Sequence, residues 1–101
     1  MSENTTKRFQ ATEIEVDAML LRLKAKIVQR LNQKGWGIFV SSHEINGILR
    51  EEMREFEDAV LDNDAEQIDR ELLDIAVAAI FGMVSLETGE MDWPKLPPSM
   101  A

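Results

Sequence analysis

Two acidic blocks constrain how this chain can fold: Glu51-Glu52-Met53-Arg54-Glu55, and then Glu71-Leu72-Leu73-Asp74. Both fall in strongly helical sequence, with a polar turn, Asp62-Asn63-Asp64, between them. If the chain reverses at Asn63, positions equidistant from that residue come level, Glu55 with Glu71 and Glu52 with Asp74. Residues at i and i+3 point the same way from a helix, so the two pairs would meet on the facing sides of one antiparallel helix pair. Like charges packed that closely repel unless protons or cations compensate. The spacing therefore predicts a helical hairpin with a divalent-cation site between its arms. At about 1.5 Å per residue, that site falls roughly 12–17 Å from the turn.

The flanking sequence supplies the helices. Thr12-Glu13-Ile14-Glu15 has the form of a helix-start capping box. Behind it Val16, Leu20, Leu23, Ile27 and Leu31 recur at helical spacing, with Met19 and Val28 widening the stripe. Gly35 ends that helix after Lys34. The run from Gly35 to Val40 has the make-up of a short strand, but with no second strand to pair it is expected as an apolar loop. Ser41 to Glu44 offers a second capping box, opening a helix to about Leu61 with Gly47 as its one weak point.

On that helix Ile45, Ile48, Leu49, Phe56, Ala59 and Val60 form the apolar arc at about 100° per residue. Glu52 falls inside the arc and Glu55 on its edge, whereas Glu51, Arg54, Glu57 and Asp58 fall outside and read as a solvated face. Asp64 to Gln67 is a third capping box, and from Leu72 the following helix is apolar nearly all round, the pattern of a buried helix. Glu71, Asp74, Ala78 and Gly82 share one of its faces, where the small residues leave room for a ligand or a closely approaching helix. Met19, Met53 and Met83 read as core filler.

Composition narrows the chemistry. The 101 residues make one domain with a modest core: a polar tail over 1–10, a helical domain over 11–92, and a Pro-rich tail over 93–101 in which Trp93 could dock as an anchor. A net charge of −8 argues against nucleic acid and against an anionic membrane surface as electrostatic partners. There are no cysteines and a single histidine, so a metal site would be all-oxygen, which selects Mg2+ or Mn2+ over zinc. An EF-hand starting at Asp62 fails, because Gln67 stands where that loop requires Gly and Leu73 where it requires Glu. A di-iron bundle fails for want of Glu-x-x-His pairs, since Val40 lies three residues before His43. No stretch reaches the ~20 apolar residues of a membrane span, and the N-terminus lacks a signal-peptide core, so a cytoplasmic location is expected.

Glu-Glu-x-x-Glu on one helix, followed after one to two dozen residues by Glu-x-x-Asp on the next, resembles the motif of MazG-like nucleotide pyrophosphohydrolases. These belong to the all-α NTP pyrophosphatase superfamily, with the dimeric dUTPases as relatives. The likeness covers roughly residues 34–86, including Lys34-Gly35-Trp36 ahead of the first acidic helix. It implies that Glu52, Glu55, Glu71 and Asp74 ligate Mg2+. It also implies hydrolysis of a (deoxy)nucleoside triphosphate to monophosphate and pyrophosphate. Glu52 and Glu55 are the candidate catalytic carboxylates, Glu52 to orient or deprotonate the water, although any of the four could do so. Trp36 could stack on a base or simply pack at the helix-loop corner. His43, at a helix start, could face a phosphate or lie on the surface. Lys34, Arg30, Arg50 and Arg70 are candidates for the triphosphate, and the sequence does not choose among them.

The expected architecture is an all-α helical bundle, a long helix plus the antiparallel acidic hairpin. Three helices leave open apolar faces around Val77, Ile80, Phe81 and Val84, so a homodimer or homotetramer is expected to complete it. The competing expectations are a non-enzymatic helical interaction protein and an inactive homologue that binds nucleotides without cleaving them.

Overall fold

A computed structural model describes residues 8–91 of the chain. It is all-α: helix α1 spans Glu13–Lys34, α2 Ser42–Leu61 and α3 Ala65–Thr88. No strand occurs among the described residues, and the run from Gly35 to Val40 is a connection, as its lack of a partner strand predicts. Trp93 and the proline-rich tail lie outside the described residues.

All three helix starts use the expected caps, but only the first closes reciprocally. The Thr12 hydroxyl accepts from the Glu15 backbone N–H, and the Glu15 carboxylate accepts from the Thr12 backbone N–H at 2.8 Å. At the second start Ser41 accepts from the Glu44 N–H, but Glu44 reaches one residue further back, to the N–H of Val40 at 2.8 Å. At the third, Asp64 accepts from the Gln67 N–H, while the Gln67 amide turns along the helix and donates to Glu71. The expected third box is thus half formed, because the Asp64 N–H is already bonded to the Ala59 carbonyl at 3.1 Å and Gln67 Oε1 accepts from Arg70 instead. α1 ends at Gly35, whose φ of 105° suits glycine. The hairpin turn places Asn63 at φ 52°, a left-handed conformation that asparagine tolerates better than most residues.

α2 and α3 pack along their length, and α1 approaches α3 alone. Gly82 faces Ile45 of α2: a Cβ there would lie 3.4 Å from the Ile45 side chain, in contact with it. Phe39 of the α1–α2 connection packs edge-on against Phe81, with ring centroids 5.1 Å apart. Ser85, fully buried, pins the same connection by accepting from the Phe39 N–H at 3.1 Å while donating to the Phe81 carbonyl.

The core is smaller than the apolar pattern suggests. Val77, Ala78, Phe81, Gly82 and Ser85 are buried on α3, but Leu72, Met83, Val84 and Leu86 are about half exposed or more. The expectation that α3 is buried all round therefore fails within one chain, since α2 covers one face and α1 crosses only part of another. α1 has no buried residue at all. Met19, Met53 and Met83, expected as core filler, are exposed at 56%, 43% and 64%.

Candidate metal centre

The helix pair brings the acidic residues together in the register that reflection through Asn63 predicts. Glu52, on the apolar arc of α2, is half-buried; Glu55, one turn nearer the hairpin, stands exposed at the rim. Across from them on α3, Glu71 is buried at 5% exposure and Asp74 is half-buried. Oxygens of Glu52, Glu55 and Glu71 lie within 4.8 Å of one another. Asp74 stands just outside this tight group, where its carboxylate is bonded to the Arg30 guanidinium of α1.

The electrostatics follow the same pairing. Burial, first, and then the charge of Asp74 push the Glu52 carboxyl up from its ordinary 4.5 to about 7, with Glu55 and Glu71 adding to the shift and Arg30 opposing it. Glu55 is also raised, by partial desolvation, by the charge of Glu71, and by a hydrogen bond with it. In each case the strongest charged neighbour is the level partner across the hairpin. Among the described residues two buried side-chain oxygens have no hydrogen-bond partner, Glu52 Oε2 and Glu71 Oε1.

An unpartnered buried carboxylate oxygen is costly, more so beside other carboxylates. A hard divalent cation fits such a donor set: all ligands are oxygens, at least two atoms stand unsatisfied, and neither His nor Cys is near enough to favour a softer ion. Residues Glu52, Glu55 and Glu71 would hold it, with Asp74 adjoining.

A cleft of about 430 Å³ opens beside the cluster. Glu51, Glu52 and Asp74 line one part of it, Arg30 and Lys34 border it from α1, and Ile27, Leu31, Phe39, Val77 and Phe81 form apolar walls. The remaining sequence candidates sit elsewhere. Trp36 is 60% exposed, donates from Nε1 to Asn32 Oδ1 at 3.0 Å, and does not line this cleft, although its neighbours Gly35 and Gly37 do. His43 is exposed on the first turn of α2, also away from the cleft lining.

Sequence reasoning did not find the Gln67–Glu71 bond, nor the pairing of Arg30 with Asp74. The first has a legible signal in its i, i+4 spacing; the second depends on where α1 crosses α3. A lengthwise groove between those two helices, walled by Val16, Leu20, Leu23, Leu72 and Ala76, is closed at one side by Arg22 and Asp69, joined by two bonds of 3.0 and 2.5 Å. The hydrogen bond from Arg22 holds the Asp69 carboxyl below its ordinary range. No helix among the described residues is long and apolar enough to cross a membrane. No family model, no curated protein and no solved structure matches the chain.

Proposed function

We propose that the chain is a Mg2+-dependent nucleoside triphosphate pyrophosphohydrolase of the MazG-like kind, with Mn2+ as an alternative ion. One observation carries this: Glu71, 95% removed from solvent, holds an unpartnered oxygen within 4.8 Å of carboxylate oxygens from Glu52 and Glu55. That is the arrangement expected of a cation site, and it stands on the residues that carry the Glu-Glu-x-x-Glu and Glu-x-x-Asp resemblance. The cleft supports a nucleotide as the ligand. Its charged part suits a polyphosphate and its apolar walls suit a base, and about 430 Å³ lies within the range of small-molecule pockets.

When bound, Mg2+ supplies charge neutralisation for the polyphosphate and a water of lowered pKa. Glu52 is the candidate to orient or deprotonate the water, since it alone of the three clustered carboxylates also lines the cleft. Water attacks the α-phosphorus in line, its proton passes to Glu52, and the bond from the α-phosphorus to the bridging oxygen breaks to release pyrophosphate. Glu55 sits at the open rim, placed to orient the incoming water. A role in clearing the nucleotide pool follows from that reaction class.

The test is pyrophosphate release from a panel of dNTPs with Mg2+. Glu52→Gln or Asp74→Asn should reduce turnover by about 100-fold or more while leaving the helices intact by circular dichroism. Wild-type rates in either variant would sink the assignment. We further infer that a second copy of the chain covers the outer apolar rows, giving a homodimer or homotetramer. Val16, Met19 and Leu20 on α1, and Met83 and Val84 on α3, are about half exposed or more, a burden monomeric domains seldom carry as contiguous patches.

Those same rows favour the competing reading, a non-enzymatic helical interaction protein. Absence of turnover on every nucleotide, with no effect of Mg2+ on melting temperature, would select it. Stabilisation by nucleotide and Mg2+ without product would instead mark an inactive homologue.

A further inference from the structure

The four basic candidates separate once the helices are in place. Arg70 is bound along its own helix, to Gln67 and Glu66. Arg50 lies with Leu49, Met53 and Arg54 on a different surface of α2. Lys34 borders the cleft but is exposed. Arg30 alone is half-buried, lines the cleft, and is bonded to one of the four carboxylates.

The bond itself is informative. Arg22 grips Asp69 with two parallel bonds, whereas Arg30 meets Asp74 through one N–H and one oxygen. A guanidinium carries several N–H donors in a planar fork whose geometry matches carboxylate and phosphate. Among the described residues Asp74 is the one hydrogen-bond acceptor of Arg30, and none of them takes up the rest of that fork. A half-buried cation with spare donors, anchored beside an acidic cluster, is suited to an anion that the cluster alone would repel.

Resting on the metal centre proposed above, we propose that Arg30 is the anion-receiving residue of this cleft. Asp74 orients the guanidinium, and its remaining donors take an oxygen of the polyphosphate held beside Glu52, Glu55 and Glu71. α1 thereby contributes to the site without supplying a metal ligand.

Calorimetric titration tests this, first with Mg2+ alone and then with inorganic pyrophosphate at saturating Mg2+, on wild type, Arg30→Gln, Arg30→Lys and Arg22→Gln. Arg30→Gln should weaken pyrophosphate binding by about tenfold or more, and Arg30→Lys should recover part of the loss, because it restores the charge without the fork. Mg2+ alone should bind Arg30→Gln at least as tightly as wild type, since a nearby positive charge has gone. Arg22→Gln breaks the other α1–α3 ion pair, outside the cleft, and should leave pyrophosphate affinity within about twofold.

The proposal is overturned if wild type binds Mg2+ but Arg30→Gln keeps its pyrophosphate affinity. It is equally overturned if Arg22→Gln loses as much, for then the docking of α1 and not Arg30 is responsible. Failure of wild type to bind Mg2+ at all would refute the metal centre, and this proposal with it. Circular dichroism melts of each variant confirm that the compared proteins are folded.

Discussion

The acidic hairpin and the first helix are held by different means. α2 and α3 contribute every buried residue of the three helices, and the carboxylate cluster lies between them. α1 buries none, and meets α3 through apolar edges and through the ion pairs Arg22–Asp69 and Arg30–Asp74. The exposed pair Arg22–Asp69 is screened by solvent and contributes little, and the half-buried Arg30–Asp74 pair offsets part of its attraction by desolvation, whereas interlocked apolar side chains contribute about 1.5–3 kcal/mol apiece. The ligating groups therefore stand on the firm part of the molecule, and the wall that closes the cleft belongs to the loosely held part. A second copy pressing on α1 would change that balance.

The largest expected effect follows from that last point. Leu20, 56% exposed, lies on the apolar row of α1 that borders the open groove against α3. In an isolated chain Leu20→Glu exchanges one exposed side chain for another and should do little. Across an interface it buries a charge without a partner, and the dissociation constant should rise on the order of 100-fold. Sedimentation equilibrium reads this directly. Unchanged association would mean that the row is not the interface, and that α1 is as weakly held as the single chain suggests.

The next largest effect belongs to the hairpin. Glu71→Gln keeps an acceptor for Gln67 and removes the charge that raises the Glu55 carboxyl across the hairpin. Without divalent cation the variant should be more stable than wild type by about 1–3 kcal/mol in urea titrations. With saturating Mg2+ the order should reverse, as the wild type gains a ligand the variant binds poorly. Loss of stability without the cation would show that Glu71 is already satisfied where it stands.

The hairpin was also the part most legible in the sequence. Reflection through Asn63 and helical phase require only a tight turn and regular helices, so Glu52, Glu55, Glu71 and Asp74 could be placed from spacing alone. Local hydrogen bonding likewise placed Thr12, Ser41 and Asp64 at the helix starts. What could not be read was lateral. Burial of Leu72, Met83 and Val84 depends on how much surface neighbouring helices cover, and periodicity shows that a face is apolar without showing what covers it. Arg30 could be named as a candidate, but its pairing with Asp74 depends on the crossing of α1 over α3, which no local pattern encodes. Gln67 was misread because the turn ties the Asp64 N–H to the Ala59 carbonyl, which leaves the Gln67 amide to Glu71 and Arg70, and the sequence does not show how the turn closes.

Acidity separates the two regions by a smaller effect with a definite sign. The Glu52 carboxyl is raised from 4.5 to about 7 in the folded chain, so the folded form binds its proton more tightly than the unfolded form. Its contribution to stability is fully present below about pH 4.5 and is lost as pH rises through about 7. Glu55 is raised too and acts in the same direction. In a chelator, the melting temperature should therefore fall between those two values. A cation must displace the same proton, so Mg2+ affinity should climb by up to about tenfold per pH unit over that interval, and the curves with and without Mg2+ should diverge. The ion pair on α1 behaves otherwise, because Asp69 is held below its ordinary range and stays ionised throughout. Glu52→Gln should thus remove most of the slope, and Arg22→Gln should lower the whole curve slightly without changing its slope. An equal slope in Glu52→Gln would place the titration outside the hairpin and remove the distinction between the two regions.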